Sequence, residues 1–379
     1  MKYDIINHNI IERKNKMMIF ILIIFALTIL PILFNKRAVP AFLYHQVNPI
    51  SNVSPELFEE HLKVIKEYKM NTITISEFYN KEVPTNSILL TFDDGYFDNY
   101  KYVFPLLKKY NMKATIFLNT LYIMDKRETE PEIKDNNTVN IEAMKEYIKS
   151  GKATINQYMS WEEIKEMYDS SLIDFQAHSH KHMAMFVDTK IEGLTNKERM
   201  EAPELYLYGE LQDNFPIFPK RGEYTGRATL IKKEFFKIFK DFYEKNIENK
   251  VTDKNEILKK CQEFIDENKE YFSVESEAEY KKRIEEDFSE NKKIIEKNLG
   301  NEVKFFCWPW GHRSKETIKV LRELGVVGFI STKKGTNSMT ANWDMIRRIE
   351  LRNYSVKKFK INLLLARNLI LGKIYGWIS

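Results

Sequence analysis

Two adjacent carboxylates, Asp93 and Asp94, close the apolar run Ser87 to Phe92, and Gly95 follows at once. Successive side chains on a strand point to opposite faces, so this pair would diverge unless the chain turns. A turn beginning at Gly95 would aim both into one cleft. Carboxylates brought that close repel unless a cation or a proton separates them. A divalent ion would take one as a ligand and leave the other free as a base. An ordinary Asx turn after a strand also uses Asp-Gly, so a second cluster has to decide. It is His178-Ser179-His180-Lys181-His182, directly after the strand-like Ile173 to Ala177. His178 and His182 are spaced i, i+4 and would share one face of a helix starting there. Two neutral imidazoles and one carboxylate leave coordination positions open, the donor set of a hydrolytic zinc site. His180, two residues from each, faces away and is expected to support the site or lie on the surface.

The elements that must position these groups alternate between strand and helix. Val39 to Val47, Asn71 to Ile75, Ser87 to Phe92, Ala114 to Leu118, Ile173 to Ala177, Lys304 to Cys307 and Val327 to Ser331 have strand character. Helical spacing occupies Pro55 to Tyr68, Tyr100 to Tyr110, Trp161 to Tyr168 and Lys315 to Leu324, the third behind a Ser160/Glu163 capping box. This order implies an α/β layout around a parallel sheet. Residues 191–300 differ, with dense mixed charge, helical patterning and little strand signal, and are expected to be a charged helical insertion serving as a substrate-rim lid or a solvated decoration. Within it, Phe218 to Tyr224 mixes aromatics and charge as sugar-facing loops do, and as ordinary surface turns do.

The 379 residues carry 59 Lys+Arg against 54 Asp+Glu, a net charge of +5, which argues against a nucleic-acid binder. Apolar residues at 43% exclude global disorder. Cys261 and Cys307 are too few for a disulfide framework or a cysteine-type zinc site, so a metal here must sit on His and carboxylate. Met17 to Phe34 carries no charge and as a helix would span about 27 Å, close to a hydrocarbon core of about 30 Å. Basic residues on both sides and the lack of a small-x-small exit favour an uncleaved signal anchor over a cleaved leader. The expected layout is a cytoplasmic tail at 1–16, an anchor at 17–34, and a body at 39–379 outside the cytoplasm, interrupted at 191–300. The tail from Lys357 mixes lysine with LLL and LIL runs and is expected to close the barrel, the alternative being a helix lying on the bilayer.

The Thr91-Phe92-Asp93-Asp94-Gly95 run followed by His178 to His182 resembles the polysaccharide deacetylase family, the NodB homology domain of carbohydrate esterase family 4. The resemblance covers Val39 to about Tyr354 apart from the charged block. It implies a distorted (β/α) barrel of NodB type, here with the charged helical insertion and the N-terminal transmembrane helix, and removal of N-acetyl groups from sugars at an Asp-His-His metal site. Carried over, Asp94, His178 and His182 match the metal ligands, with zinc first and cobalt, nickel or manganese as alternatives, and Asp93 matches the general base. Leu43-Tyr44-His45-Gln46-Val47 is similar to the opening strand of the poly-N-acetylglucosamine deacetylase branch, which makes His45 the candidate general acid. Phe306-Cys307-Trp308-Pro309-Trp310-Gly311 resembles a motif usually written Pro-Tyr-Gly. By that likeness Trp310, flanked by Trp308 and Pro309, would supply an oxyanion N–H and line the acetyl pocket. The arginine that orients the base in many members is missing near Cys307, and Arg348, or else Arg347, is the candidate replacement from the last strand. The implied partners are an N-acetylated glycan and, through the N-terminal helix, a membrane. Peptidoglycan, a lipid-linked sugar, an O-acetyl ester and a silent glycan-binding role remain open alternatives.

Overall fold

A computed structural model describes residues 17–21, 23, 25, 38–351 and 355–378. The anchor expected at 17–34 lies largely outside them, and among the described residues no helix is long and apolar enough to cross a membrane. The main sheet has eight strands: β1 (Ala41–Tyr44), β2 (Asn71–Ile73), β3 (Ser87–Asp94), β4 (Ala114–Leu118), β5 (Ile173–Ala177), β6 (Phe305–Cys307), β7 (Gly328–Ile330) and β8 (Ile349–Glu350). Their order is β7-β6-β5-β4-β3-β1-β8, with β2 also on β3, and every pair is parallel. Every residue of β3 is buried, as expected of a central strand covered on both faces.

The helices in chain order are α1 (Pro55–Glu67), α2 (Ile75–Tyr79), α3 (Phe104–Tyr110), α4 (Asn136–Ser150), α5 (Trp161–Asp169), α6 (Ala202–Tyr208), α7 (Lys233–Asn246), α8 (Lys254–Glu267), α9 (Glu277–Leu299), α10 (Lys315–Glu323), α11 (Val356–Ala366) and α12 (Leu369–Ile378). The capping box read at Ser160 and Glu163 is present at the start of α5.

The strand alternation sorts side chains into two cores. Phe42, Ile88, Leu90, Phe92, Ile116, Phe175 and Phe306 point outward to the helices. Ala41, Leu89, Phe117, Phe305, Cys307 and Ile330 fill the inside of the curled sheet. The expected barrel is a curled sheet with a stitched seam rather than a continuous ladder. Phe329 N–H donates to the Trp343 carbonyl and Ser331 N–H to the Ile346 carbonyl, at 2.8 and 2.9 Å, but only one isolated bridge forms there, Ile330 to Ile346. The last strand is too short to pair fully with both neighbours, since β8 has two residues and spends them on β1.

The charged block at 191–300 departs from expectation in two ways. It is not simply helical, because Thr229–Ile231 pairs with Phe272–Val274 and Lys220–Gly222 pairs with Ala184–Phe186. Nor is all of it decoration. Helix α9 starts on a Ser276/Glu279 capping box and buries Tyr280, Ile284, Phe288 and Ile295 in the main core. Helices α7 and α8, with Phe235, Phe239, Cys261 and Ile265, form a separate small core, and Leu205 of α6 joins another with Met144 and Met183. The tail divides as well: α11 buries Phe359, Leu363 and Ala366 in the main core, whereas α12 leaves Ile370, Ile374 and Trp377 exposed.

Phe288 has no exposed surface, so Phe288→Ala should cost about 3–5 kcal/mol in chemical denaturation. A change below about 1 kcal/mol would mean that α9 lies outside the cooperative core.

Candidate active site

Asp93 keeps the inward parity of β3, the side taken by Leu89 and Thr91. Arg348, fully buried at 0% exposure, meets it with both guanidinium ends: Nη1 donates to Oδ1 at 2.7 Å and Nη2 to Oδ2 at 2.8 Å. Nη1 also donates to Thr91 Oγ1 at 3.2 Å, Nε to the Ser331 carbonyl at 3.0 Å, and Nη2 to Cys307 Sγ at 3.0 Å. Burial alone would raise the Asp93 pKa, but Arg348 and then His178 outweigh it, and the carboxyl is held below its ordinary range. Asp93 is therefore an ionised, desolvated carboxylate. Arg347, the alternative, turns away to the Lys334 carbonyl at 2.9 Å.

Asp94 would point outward by strand alternation. Its backbone is instead left-handed, with φ 77°, and Gly95 follows at 82°. The reversal thus falls one residue earlier than the glycine alone implied, and it brings Asp94 to the same end of the sheet as Asp93. The histidine loop uses the same device. Residues 178–182 do not form a helix; Ser179 and His182 take φ 83° and 55°, and Ser179 Oγ accepts the His182 N–H at 2.9 Å. A loop rather than an i, i+4 helical face brings the imidazoles together, with ring centres 5.0 Å apart. Uncommon backbone conformations of this kind cluster at functional sites because the surroundings must hold them.

One ligand atom from each of Asp94, His178 and His182 lies within 4.8 Å of the others. His178 Nε2 is 3.4 Å and His182 Nε2 3.7 Å from Asp94 Oδ1. His178 Nδ1 lies 2.9 Å from the Cys307 carbonyl, which can only accept, so Nδ1 carries the proton and Nε2 faces the carboxylate. Asn119 Nδ2 donates to Asp94 Oδ1 at 3.0 Å. Burial raises the Asp94 pKa, yet the His178 bond and the His182 charge bring it well below the carboxylate range. Burial pushes His182 down to about 4, and for His178 it is outweighed by Cys307, Asp93 and Asp94, which push it up. Two nitrogens and a carboxylate oxygen converging on one point fit a divalent ion that replaces protons. A second cluster, Asp93, His178 and Cys307, also has suitable spacing, but the Arg348 guanidinium already occupies both Asp93 oxygens.

His45 follows β1 and lines the same cavity of about 370 Å³. Its carbonyl accepts from Asn99 Nδ2 at 2.9 Å, and Asn99 and Asn48 both donate to Asp98, whose pKa burial raises to about 7. Trp310 also lines the cavity, with φ 60°, 43% exposed, its ring 5.1 Å from that of His182. Gly222 permits this approach, because a Cβ there would lie 2.7 Å from Trp310 Cδ1. Trp308 reaches the cavity wall but is otherwise a core residue stacked on Phe329, and Pro309 is buried outside the lining. The segment Phe218 to Tyr224, whose composition suited either a sugar-facing loop or a surface turn, is mostly interior: Phe218 and Tyr224 are buried, and Tyr224 Oη donates to Asp287 at 2.6 Å.

Several residues of the site escaped sequence reading. Tyr96, Tyr122 and Tyr158 stack beside the cavity, with Tyr158 Oη donating to Asn140 Oδ1 at 2.8 Å on α4. From α9, Asp287 accepts the His180 and Lys181 N–H groups at 2.9 and 3.1 Å. One turn on, Asn291 Nδ2 donates to the Leu118 and Ser179 carbonyls at 3.0 and 2.5 Å. His180 is thereby tied back, its Nδ1 2.9 Å from Thr120 Oγ1, and stays outside the ligand set. An Asp/Asn pair at i, i+4 beside the Ile284/Phe288/Ile295 stripe was the available signal.

The family profile described as polysaccharide deacetylase matches residues 80–207 and 246–329, more than half of the chain. The chain belongs to the polysaccharide deacetylase family. It is 36% identical over 104 residues to YxkH of Bacillus subtilis, covering 25% of this chain and 37% of that protein. It is 28% identical over 195 residues to the poly-beta-1,6-N-acetyl-D-glucosamine N-deacetylase of Staphylococcus aureus, covering 45% and 59%. The matches thus span less than two thirds of either curated relative. Among solved structures, the de-N-acetylase from Aggregatibacter actinomycetemcomitans superimposes with a TM-score of 0.55 at 16% identity, over 85% of this chain and 99% of that one. The BpsB deacetylase domain from Bordetella bronchiseptica does so with 0.52 at 17%, over 84% and 97%. At these identities the likeness establishes the fold.

Calorimetric titration of the metal-free protein with zinc should show one tight site. Asp94→Asn should weaken it by at least about tenfold, and Asp93→Asn should leave it nearly unchanged. Equal losses in both variants would place the ion between the two aspartates.

Proposed function

We propose that the protein hydrolyses the acetamide of an N-acetylhexosamine polymer, of the poly-N-acetylglucosamine type, outside the cytoplasm, releasing acetate and leaving a free amine on the sugar. The observation that carries this reading is the juxtaposition of an arginine-held, ionised Asp93 with the Asp94, His178 and His182 donor set in one cavity. Asp94, His178 and His182 would hold a divalent ion, zinc first and cobalt, nickel or manganese next, which when bound polarises a carbonyl and acidifies water.

Each remaining part belongs to the chain. Asp93 accepts the proton of the attacking water, and Arg348 keeps both carboxylate oxygens aligned for it. The Trp310 N–H offers a donor to the developing oxyanion, a contact of a kind worth about 3–4 kcal/mol. His45, lining the same cavity, delivers a proton to the departing sugar nitrogen. The Trp310 ring and the tyrosine stack give flat apolar surfaces on which a pyranose face can rest. The name of the Staphylococcus aureus relative supports the choice of sugar, and the uncharged run at 17–34 supports attachment to a membrane with the catalytic body outside.

Acetate release from N-acetylglucosamine oligomers tests the scheme. Activity should disappear on chelation and return with zinc, and Asp93→Asn should lower kcat by at least about a hundredfold. Turnover that survives complete metal removal would sink it. The pH profile gives a separate check. Arg348 lowers the Asp93 pKa, so Arg348→Gln should raise it and move the acid limb of kcat/KM to higher pH. The same change strands a buried carboxylate and should cost about 3–5 kcal/mol of stability, so the profile is to be recorded well below the variant's melting temperature.

A further inference from the structure

Helix α12 faces the wrong way for water. Its small residues point inward: a Cβ on Gly372 would lie 2.4 Å from Thr336 Cγ2, and one on Gly376 2.6 Å from the Lys334 carbonyl oxygen. This glycine seam sets the helix against the loop 334–336 and turns the large apolar side chains out. Ile374 is 50% and Trp377 87% exposed, with Ile370 and Ile378 beside them. Helix α11 continues the pattern, burying Phe359 and Leu363 while exposing Ile361 and Leu364. An outward apolar stripe on a helix fixed by its small residues is built to be covered.

The charge around it identifies what covers it. Between Ser355 and Ile378 the chain carries Lys357, Lys358, Lys360, Arg367 and Lys373 and no acidic residue, although the whole protein is nearly balanced. Apolar side chains with Trp377 among them, flanked by lysines and one arginine and by no acid on the same two helices, suit the interface of an anionic bilayer, where the rings sit among headgroups and the cations reach the phosphates, although Lys360 is engaged by Glu67 of α1 at 2.8 Å. We infer that α11 and α12 form a membrane-docking face that seats Ile370, Ile374 and Trp377 at the acyl boundary of anionic lipid. The seam side of α12, not its apolar face, rests on residues 334–336, which follow Thr332 of the cavity lining in the chain. The inference stands whatever sugar is hydrolysed.

The test uses the full chain with vesicles of phosphatidylcholine and phosphatidylglycerol, with and without brominated acyl chains. Tryptophan emission should fall on the brominated vesicles, and Trp377→Phe should abolish most of that fall even where the segment 17–34 also holds the protein on the vesicle. The fall should be larger on anionic than on purely zwitterionic vesicles, and the triple change Lys357→Gln, Lys358→Gln, Lys373→Gln should remove the difference. Equal quenching of the wild type and Trp377→Phe would overturn the inference. So would self-association in the absence of lipid that Ile374→Glu abolishes, since it would assign the face to a second copy of the chain.

Discussion

A buried ion pair governs this structure. Asp93 and Arg348 have almost no contact with water, and removing two charges from solvent is costly unless they meet with matched geometry. Here the match is bidentate and extended, because Arg348 also bonds Thr91, Ser331 and Cys307, joining three parts of the sheet through one guanidinium. The pair cannot relax without exposing an unpaired charge in the curled interior. That rigidity leaves Asp93 ionised and aligned although it is desolvated.

The neighbouring donor set depends on the opposite arrangement. Around Asp94, His178 and His182, acceptors face one another without a fixed cation from the protein, so the site is complete only with a proton or an added ion. The two halves share His178, whose ring nitrogens lie within 4.8 Å of oxygens of both carboxylates. One adjacent pair of aspartates thus divides into a carboxylate held by an arginine and a carboxylate that faces two imidazoles. The left-handed backbone at Asp94 makes the division possible, because a regular strand would have sent the second carboxylate into the outer core.

Much of this was legible in the sequence. The parallel sheet followed from alternating segments, and the Asp93-Asp94 doublet and the His178/His182 spacing marked the site because such residues at a strand end serve no packing need. Arg348 was a candidate only through the family resemblance, with Arg347 as its alternative. The geometry of the histidine loop was misread: i, i+4 spacing suggested a helix, whereas positive φ at Ser179 and His182 does the work, and nothing in their side chains announces it. Asp287 and Asn291 were hidden for another reason. They lie in a stretch so rich in charge that their i, i+4 spacing beside the apolar stripe was overlooked, and the packing of α9 shows them facing inward.

The contacts of α9 also bear on the order in which the site is made. The histidine loop precedes its clamp by 107 residues at the His180–Asp287 bond, and Asp93 precedes Arg348 by 255. A chain emerging from its N-terminus exposes its ligands first and receives the groups that hold them last. Contacts of such long range form slowly, since loop-closure entropy is lost before they are rewarded. The constellation therefore exists only once distant parts of the chain have met, and a chain interrupted before α9 carries both histidines without the Asp287 and Asn291 contacts that hold their loop.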